Sequence, residues 1–268
     1  MKKIAKAITA FVLAVSLSVA GAADNSIYVD QAGDNSTVSM TQDGAGNVIR
    51  GIQGVGTSNT TPAIIRGDGN QVSVSQIGTG NTLNLGIRTS VAGGVNNGNN
   101  FIYSVTGNNA TANIRSNSTG TGISASNNIS VTQSGNNANA DIDVLGSANN
   151  ITALTSGGAS NSVVLKQNGD NNTQNITMTG GGSNTATVTQ GDSVNSNDKG
   201  TVTVTSNGGS NSFTIAQYGG LNGHTAVVDS AGNANVFNIM QQGTSGDNIA
   251  NIKSVGTTNT FTINQNTH

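Results

Sequence analysis

Few residues of this chain could do acid–base or nucleophilic chemistry, and their spacing suits it poorly. His224 and His268 are the only histidines, one near a turn after Asn222 and one the final residue, and there is no cysteine. Serine is abundant, but no Ser-containing elbow or partnered base stands out for a hydrolytic triad. Two histidines and scattered aspartates do not make a zinc set. The Asp-rich turns lack the repeated Gly-Gly-x-Gly-x-Asp of calcium-binding solenoids. Gly180-Gly181-Gly182 is not followed by Lys and Ser or Thr, so it reads as a turn and not as a phosphate cradle. The reading is of a non-enzyme with no catalytic residue, no cofactor and no metal.

The chemistry that does come at fixed spacing is that of side-chain amides. Asn211-x-Phe213-x-Ile215-x-Gln217-x-Gly219 is followed by Ala226-x-Val228-x-Ser230-x-Gly232-x-x-Asn235. Then come Phe237-x-Ile239-x-Gln241-x-Gly243, Asn248-x-Ala250-x-Ile252-x-Ser254-x-Gly256-x-x-Asn259, and Phe261-x-Ile263-x-Gln265. The Phe, Ile and Gln of this stretch each recur at intervals of 24, and so do Ala226 and Ala250, Ser230 and Ser254, and Gly232 and Gly256. A fixed period in this range signals a stacked repeat. Amides repeated in this way can bond to the copies above and below, which satisfies groups that are costly to bury alone.

The elements that position them follow from the period. Key residues fall at every second position, the repeat of a strand. Gly-x-x-Asn supplies residues that tolerate positive φ and so reads as a tight reversal. Strand, turn, strand and turn close one coil of an all-β solenoid, with coils stacked at roughly 4.8 Å. The expected ladder comprises Asn211, Phe213, Ile215 and Gln217, then Asn235, Phe237, Ile239 and Gln241, then Asn259, Phe261, Ile263 and Gln265, with Ile27, Val29 and Gln31 at the other end. Ala226 and Ala250 are expected to face the phenylalanines, large against small. The expected turn glycines are Gly33, Gly44, Gly78, Gly135, Gly169, Gly219, Gly232, Gly243 and Gly256.

Two domains are read. Residues 1–22 look like a secretory signal peptide, with Lys2, Lys3 and Lys6, an apolar run Ala7 to Val19, and a small-residue cleavage site Ala20-Gly21-Ala22. The run is short for a transmembrane span, so no membrane insertion is expected after cleavage. Residues 23–268 form the repeat region. Charged residues are 8% of the chain, with 37 Gly and no Trp, too little bulk for an ordinary globular core. Cleavage leaves seven of the ten basic residues against twelve acids, a charge near −5, which disfavours nucleic acid as a partner.

Along the chain the pattern is clear at Asn70 to Asn81, Ile129 to Gly135 and Asn161 to Asn172. It is broken by loop-like stretches at Gly54 to Pro62, Arg88 to Asn100 and Ser116 to Asn127. Some twenty strands make about ten coils. Gln133 and Gln167 lie 34 apart, about three half-repeats. Strict two-strand alternation therefore fails there: either Ile151 to Thr155 is not a ladder strand or a coil slips.

Asn-x-apolar-x-apolar-x-Gln-x-Gly-x-x-Asn, alternating with a Ser variant, resembles the curlin repeat of bacterial curli subunits. That resemblance implies a functional amyloid: a subunit secreted unfolded through an outer-membrane pore, met by a nucleating subunit, and polymerised into biofilm fibres at the cell surface. Unlike the family pattern, no non-repeat segment separates the leader from the repeats.

Independently, a solenoid needs capped ends. Here Ile27, Val29 and Gln31 open the repeat region, and Phe261, Ile263 and Gln265 close it. Both ends are ladder-competent, and head-to-tail addition at such ends gives a filament. Asp30, Asp34, Asp43, Asp170, Asp192, Asp229 and Asp247 fall at outward or turn positions, where they slow premature assembly or simply aid solubility. The alternative is a monomeric adhesin or ice-binding solenoid using Thr185-x-Thr187-x-Thr189, Thr201-x-Thr203-x-Thr205 and Thr260-x-Thr262. A solenoid enzyme is a third reading.

Overall fold

The computed structural model describes residues 12–18, 24–53, 58–89, 96–118, 124–191, 199–219, 223–243 and 247–267. Among these there is no helix. The chain is an all-β solenoid of two long parallel sheets. Sheet A has ten strands, running from Val12–Ser18 through Thr37–Asp43 to Ile249–Val255; sheet B has twelve, running from Ser26–Ile27 to Thr260–Thr267. The chain places one strand on sheet A, turns, places the next on sheet B, and turns again. Without Val12–Ser18, which falls in the segment read as a leader, sheet A counts nine windings.

Each strand pairs in parallel with the strand one winding away, in register. Thr225 to Ala231 lie beside Ile249 to Val255, and Ser212 to Gly219 beside Val236 to Gly243. Alternation then gives the strands between the two ends a buried and a more open side. In Ile249–Val255, for example, Ala250, Ile252 and Ser254 are buried while Ile249, Asn251, Lys253 and Val255 are exposed. The core is a column three side chains deep on each sheet, built mainly from Val, Ile, Leu, Ala and Phe.

The glycines at the turns are required by the stack. Gly232 has φ 123°, and a Cβ there would stand 1.9 Å from the carbonyl oxygen of Gly256, one winding on. Gly33, Gly44, Gly78, Gly135, Gly169 and Gly219 likewise have positive φ. Gly243 instead ends the strand Val236–Gly243, and its carbonyl oxygen is what a Cβ on Gly219 would strike, at 2.3 Å.

Three sequence expectations are corrected. Ile151 to Thr155 lies within a ladder strand, Asn150–Ser156, paired with Asn128–Ser134 and Thr173–Gly180. No coil slips. Gln133 sits on sheet A and Gln167 on sheet B, because half a winding separates Gln133 from Val144 and Val144 is the in-register partner of Gln167. Strand alternation is intact; only the residue carried by each sheet changes. Secondly, the stretch read as a loop, Gly54 to Pro62, is followed at once by a strand that the motif reading did not name, Ala63–Arg66. Together with Val48–Arg50 it lies on Thr82–Thr89, so the excursion interrupts one sheet B strand and then completes it. Thirdly, Ala226 and Ala250 do not face the phenylalanines. The Gln241 and Gln265 amides reach Thr225 O and Ile249 O, at 2.9 and 3.0 Å, which sets the alanines across from the glutamines. Ser230 and Ser254 bond the Asn235 and Asn259 amides instead, at 3.2 and 3.1 Å, at the phenylalanine end.

Candidate functional site: amide columns and their open ends

At the corner entering sheet B, each asparagine reaches one winding on. Asn211 Oδ1 accepts from Asn235 N–H at 2.9 Å, and Asn235 Oδ1 from Asn259 N–H at 3.0 Å. The same amides donate to turn carbonyls of the following winding, Asn211 to Gly232 O at 2.9 Å and Asn235 to Gly256 O at 3.1 Å. Asn47 and Asn81 repeat both bonds, and Asn184 repeats the first while its amide donates to Gly181 O of its own turn. These bonds satisfy backbone groups that the glycine turns would otherwise strand inside the stack.

The corner entering sheet A carries a second column, whose asparagines the motif included at Asn70 and Asn248 but the expected ladder left out. Asn99, Asn127, Asn149 and Asn172 each offer their N–H to the side-chain oxygen of the corner asparagine one winding earlier, at 3.0–3.3 Å. Its sequence signal is an Asn two places before the first inward residue, as in Asn70 before Val72 and Asn149 before Ile151. His224 belongs to this column. It is fully buried, its Nδ1 accepts from Asn248 N–H at 3.1 Å, and its Nε2–H donates to Tyr218 O at 3.1 Å. The ring therefore replaces an asparagine, acceptor for acceptor. His268 lies outside the described residues.

The glutamine column is directional too. Gln190, Gln217 and Gln241 each donate Nε2–H to Oε1 of the next glutamine, ending on Gln265, at 2.7–2.9 Å. Phe213, Phe237 and Phe261 stack with centroids 5.0 and 5.2 Å apart and planes within 2°. Earlier in the chain Tyr103 takes a core position, its hydroxyl donating to Gln133 Oε1 at 2.8 Å. Burial pushes that phenol well above its usual range.

The ends are where the columns stop. Thr260–Thr267 has a strand neighbour on one side only among the described residues, and Phe261, Ile263 and Gln265 are half-buried. At the opposite end Ile27, Val29 and Gln31 are also half-buried. Arg66 bonds the Asp30 carboxylate there and holds it below the usual range. Asp30, Asp34, Asp43, Asp170, Asp229 and Asp247 are all exposed; Asp192 lies outside the described residues.

The threonine runs do not merge into one surface. Thr185, Thr187 and Thr189 are on sheet B and Thr201, Thr203 and Thr205 on sheet A. Val236 and Asn238 interrupt the sheet B rows before Thr260 and Thr262. Among the described residues, no three His, Cys, Asp or Glu side chains group to hold a metal ion. No family model, curated protein or solved structure matches the chain.

Proposed function

We propose that this protein is a secreted structural subunit that self-assembles head to tail into extracellular, curli-like amyloid fibres. The fibres serve adhesion within a bacterial biofilm matrix. The reading is carried by one observation: the inward columns run in register to the winding of Thr260–Thr267, where half-covered Phe261 and Ile263 have no further strand beside them among the described residues. A β-solenoid is compatible with a repeat adhesin or a fibre subunit. The open column favours the fibre, because covering one such Phe or Ile contributes about 1.5–3 kcal/mol before ordering costs. A nucleating subunit and an outer-membrane secretion pore are the partners the curlin resemblance implies.

The test is to purify the chain from residue 23 and incubate it unseeded. A lag followed by thioflavin-positive fibres, with reflections near 4.8 and about 10 Å, supports the proposal. A soluble monomer at high concentration that binds glycan or shapes ice supports the monomeric reading instead.

A further inference from the structure

The first seat on sheet A is occupied. Val12–Ser18 runs parallel to Thr37–Asp43 and pairs with it at successive positions, from Val12 beside Thr37 to Ser18 beside Asp43. Removing residues 1–22 empties that seat and opens the Thr37–Asp43 edge. Sheet B keeps its first strand, Ser26–Ile27 with Val29–Ala32, on Val48–Arg50 and Ala63–Arg66. The processed end is then half a winding out of step, whereas the far end closes with one strand on each sheet, Ile249–Val255 and Thr260–Thr267.

Two joints fit these ends. In simple addition, Asn25 to Gln31 of one copy lands on Asn259 to Gln265 of another. That leaves sheet A one strand short, with unpaired edges about 10 Å apart. In exchange, the complete winding of one copy takes the place of the leader strand and of the short first strand together. Both sheets then run on without a gap.

We infer, on the reading that the chain self-assembles, that processed copies join by strand exchange. Ile249–Val255 takes the leader's seat on Thr37–Asp43 of the next copy, and Thr260–Thr267 displaces Ser26–Ile27 and Val29–Ala32. The corner bonds all run from one winding's side chain to the next winding's N–H, so this joint continues them. Asn248 Oδ1 meets Ser36 N–H, and Asn259 Oδ1 takes the Asn47 N–H that Asn25 holds at 2.9 Å in the single copy. Phe261, Ile263 and Gln265 replace Ile27, Val29 and Gln31 over Ile49, Ala63 and Ile65. The strand given up is the weaker one. Its Gln31 amide bonds its own turn, at Gly33 O, and not a neighbouring winding. The joint also gives the fibre a polarity, C-terminal winding to N-terminal winding.

Cysteine cross-linking decides the matter, since the chain has no native thiol. In fibres of chain 23–268, Thr37→Cys with Ile249→Cys should oxidise to disulfide-linked multimers, because in-register neighbours meet disulfide geometry. Ser26→Cys with Thr260→Cys, the addition pair, should not. Retaining residues 1–22 should cut the first cross-link at least about tenfold. Fibres that cross-link only through the addition pair overturn the exchange and leave assembly standing; absence of any fibre from the unsubstituted chain overturns both. Hydrogen exchange on unsubstituted fibres reads the joint independently of the cysteines. Ser26 to Ala32 amides should exchange freely if displaced, and protection matching Val236–Gly243 overturns the exchange.

Discussion

Gln167 and Gln190 are adjacent in one buried column of sheet B, yet no hydrogen bond joins them. Gln190 Oε1 is taken by the amide of Gln174 on the facing sheet, at 2.6 Å, and Gln190 Nε2 donates onward to Gln217. The other neighbour of Gln167 in the column is Val144. Both its amide atoms are buried without partners, as are Thr155 Oγ1, Asn161 Nδ2, Asn172 Nδ2 and Gln174 Oε1. This polar seam lies where the glutamine column passes from sheet A, at Gln133, to sheet B.

Gln167→Leu should therefore stabilise the chain, because it removes an unbonded amide at similar volume. A gain of about 1–3 kcal/mol is expected in urea unfolding. A loss of stability would mean that the amide finds partners in solution.

Ile239 is buried in its column, whereas Thr262 points outward. Ile239→Asp buries an unpaired carboxylate and should lengthen the assembly lag by at least tenfold. Thr262→Asp should change it by less than about twofold, a shift of a few tenths of a kcal/mol. Thioflavin kinetics at matched concentration makes the comparison, and equal effects would reverse the assignment of inside and outside.

Gly232→Ala and Gly256→Ala make a second pair. Both residues have positive φ, so each alanine strains the backbone by roughly 1–3 kcal/mol. Only at Gly232 does the added Cβ also strike backbone in the single copy; at Gly256 it meets the Asn259 amide at an ordinary 3.5 Å. Monomer unfolding should accordingly show Gly232→Ala as the worse. If a further winding covers Gly256 in the fibre, the two should become alike in critical concentration.

Tyr103→Phe removes the donor to Gln133 Oε1 and should cost about 1–3 kcal/mol at neutral pH. The folded phenol has its pKa raised, so its contribution is complete below the unfolded value of about 10 and is lost as pH climbs beyond it. Unfolding midpoints of the native chain should fall above pH 10, and the phenylalanine variant should lack that part of the fall.

The inward and outward sides of the strands were legible in the sequence, since a period of two needs no knowledge of neighbours. The turns at Gly232 and Gly256 were legible for the same local reason. What lies above what was not. The register of Gln167 depends on the summed length of every loop before it, and Ala63–Arg66 completes a winding only across an excursion that the chain alone does not bring back. His224 reads as a turn residue until the stack shows its Nδ1 standing where an asparagine oxygen stands elsewhere. Strand periodicity is set by each residue's own backbone, and so the amino-acid order determined it; the pairing of Gln190 with Gln174 and the facing of Ala226 toward glutamine are contacts across space, which only the closed winding could decide.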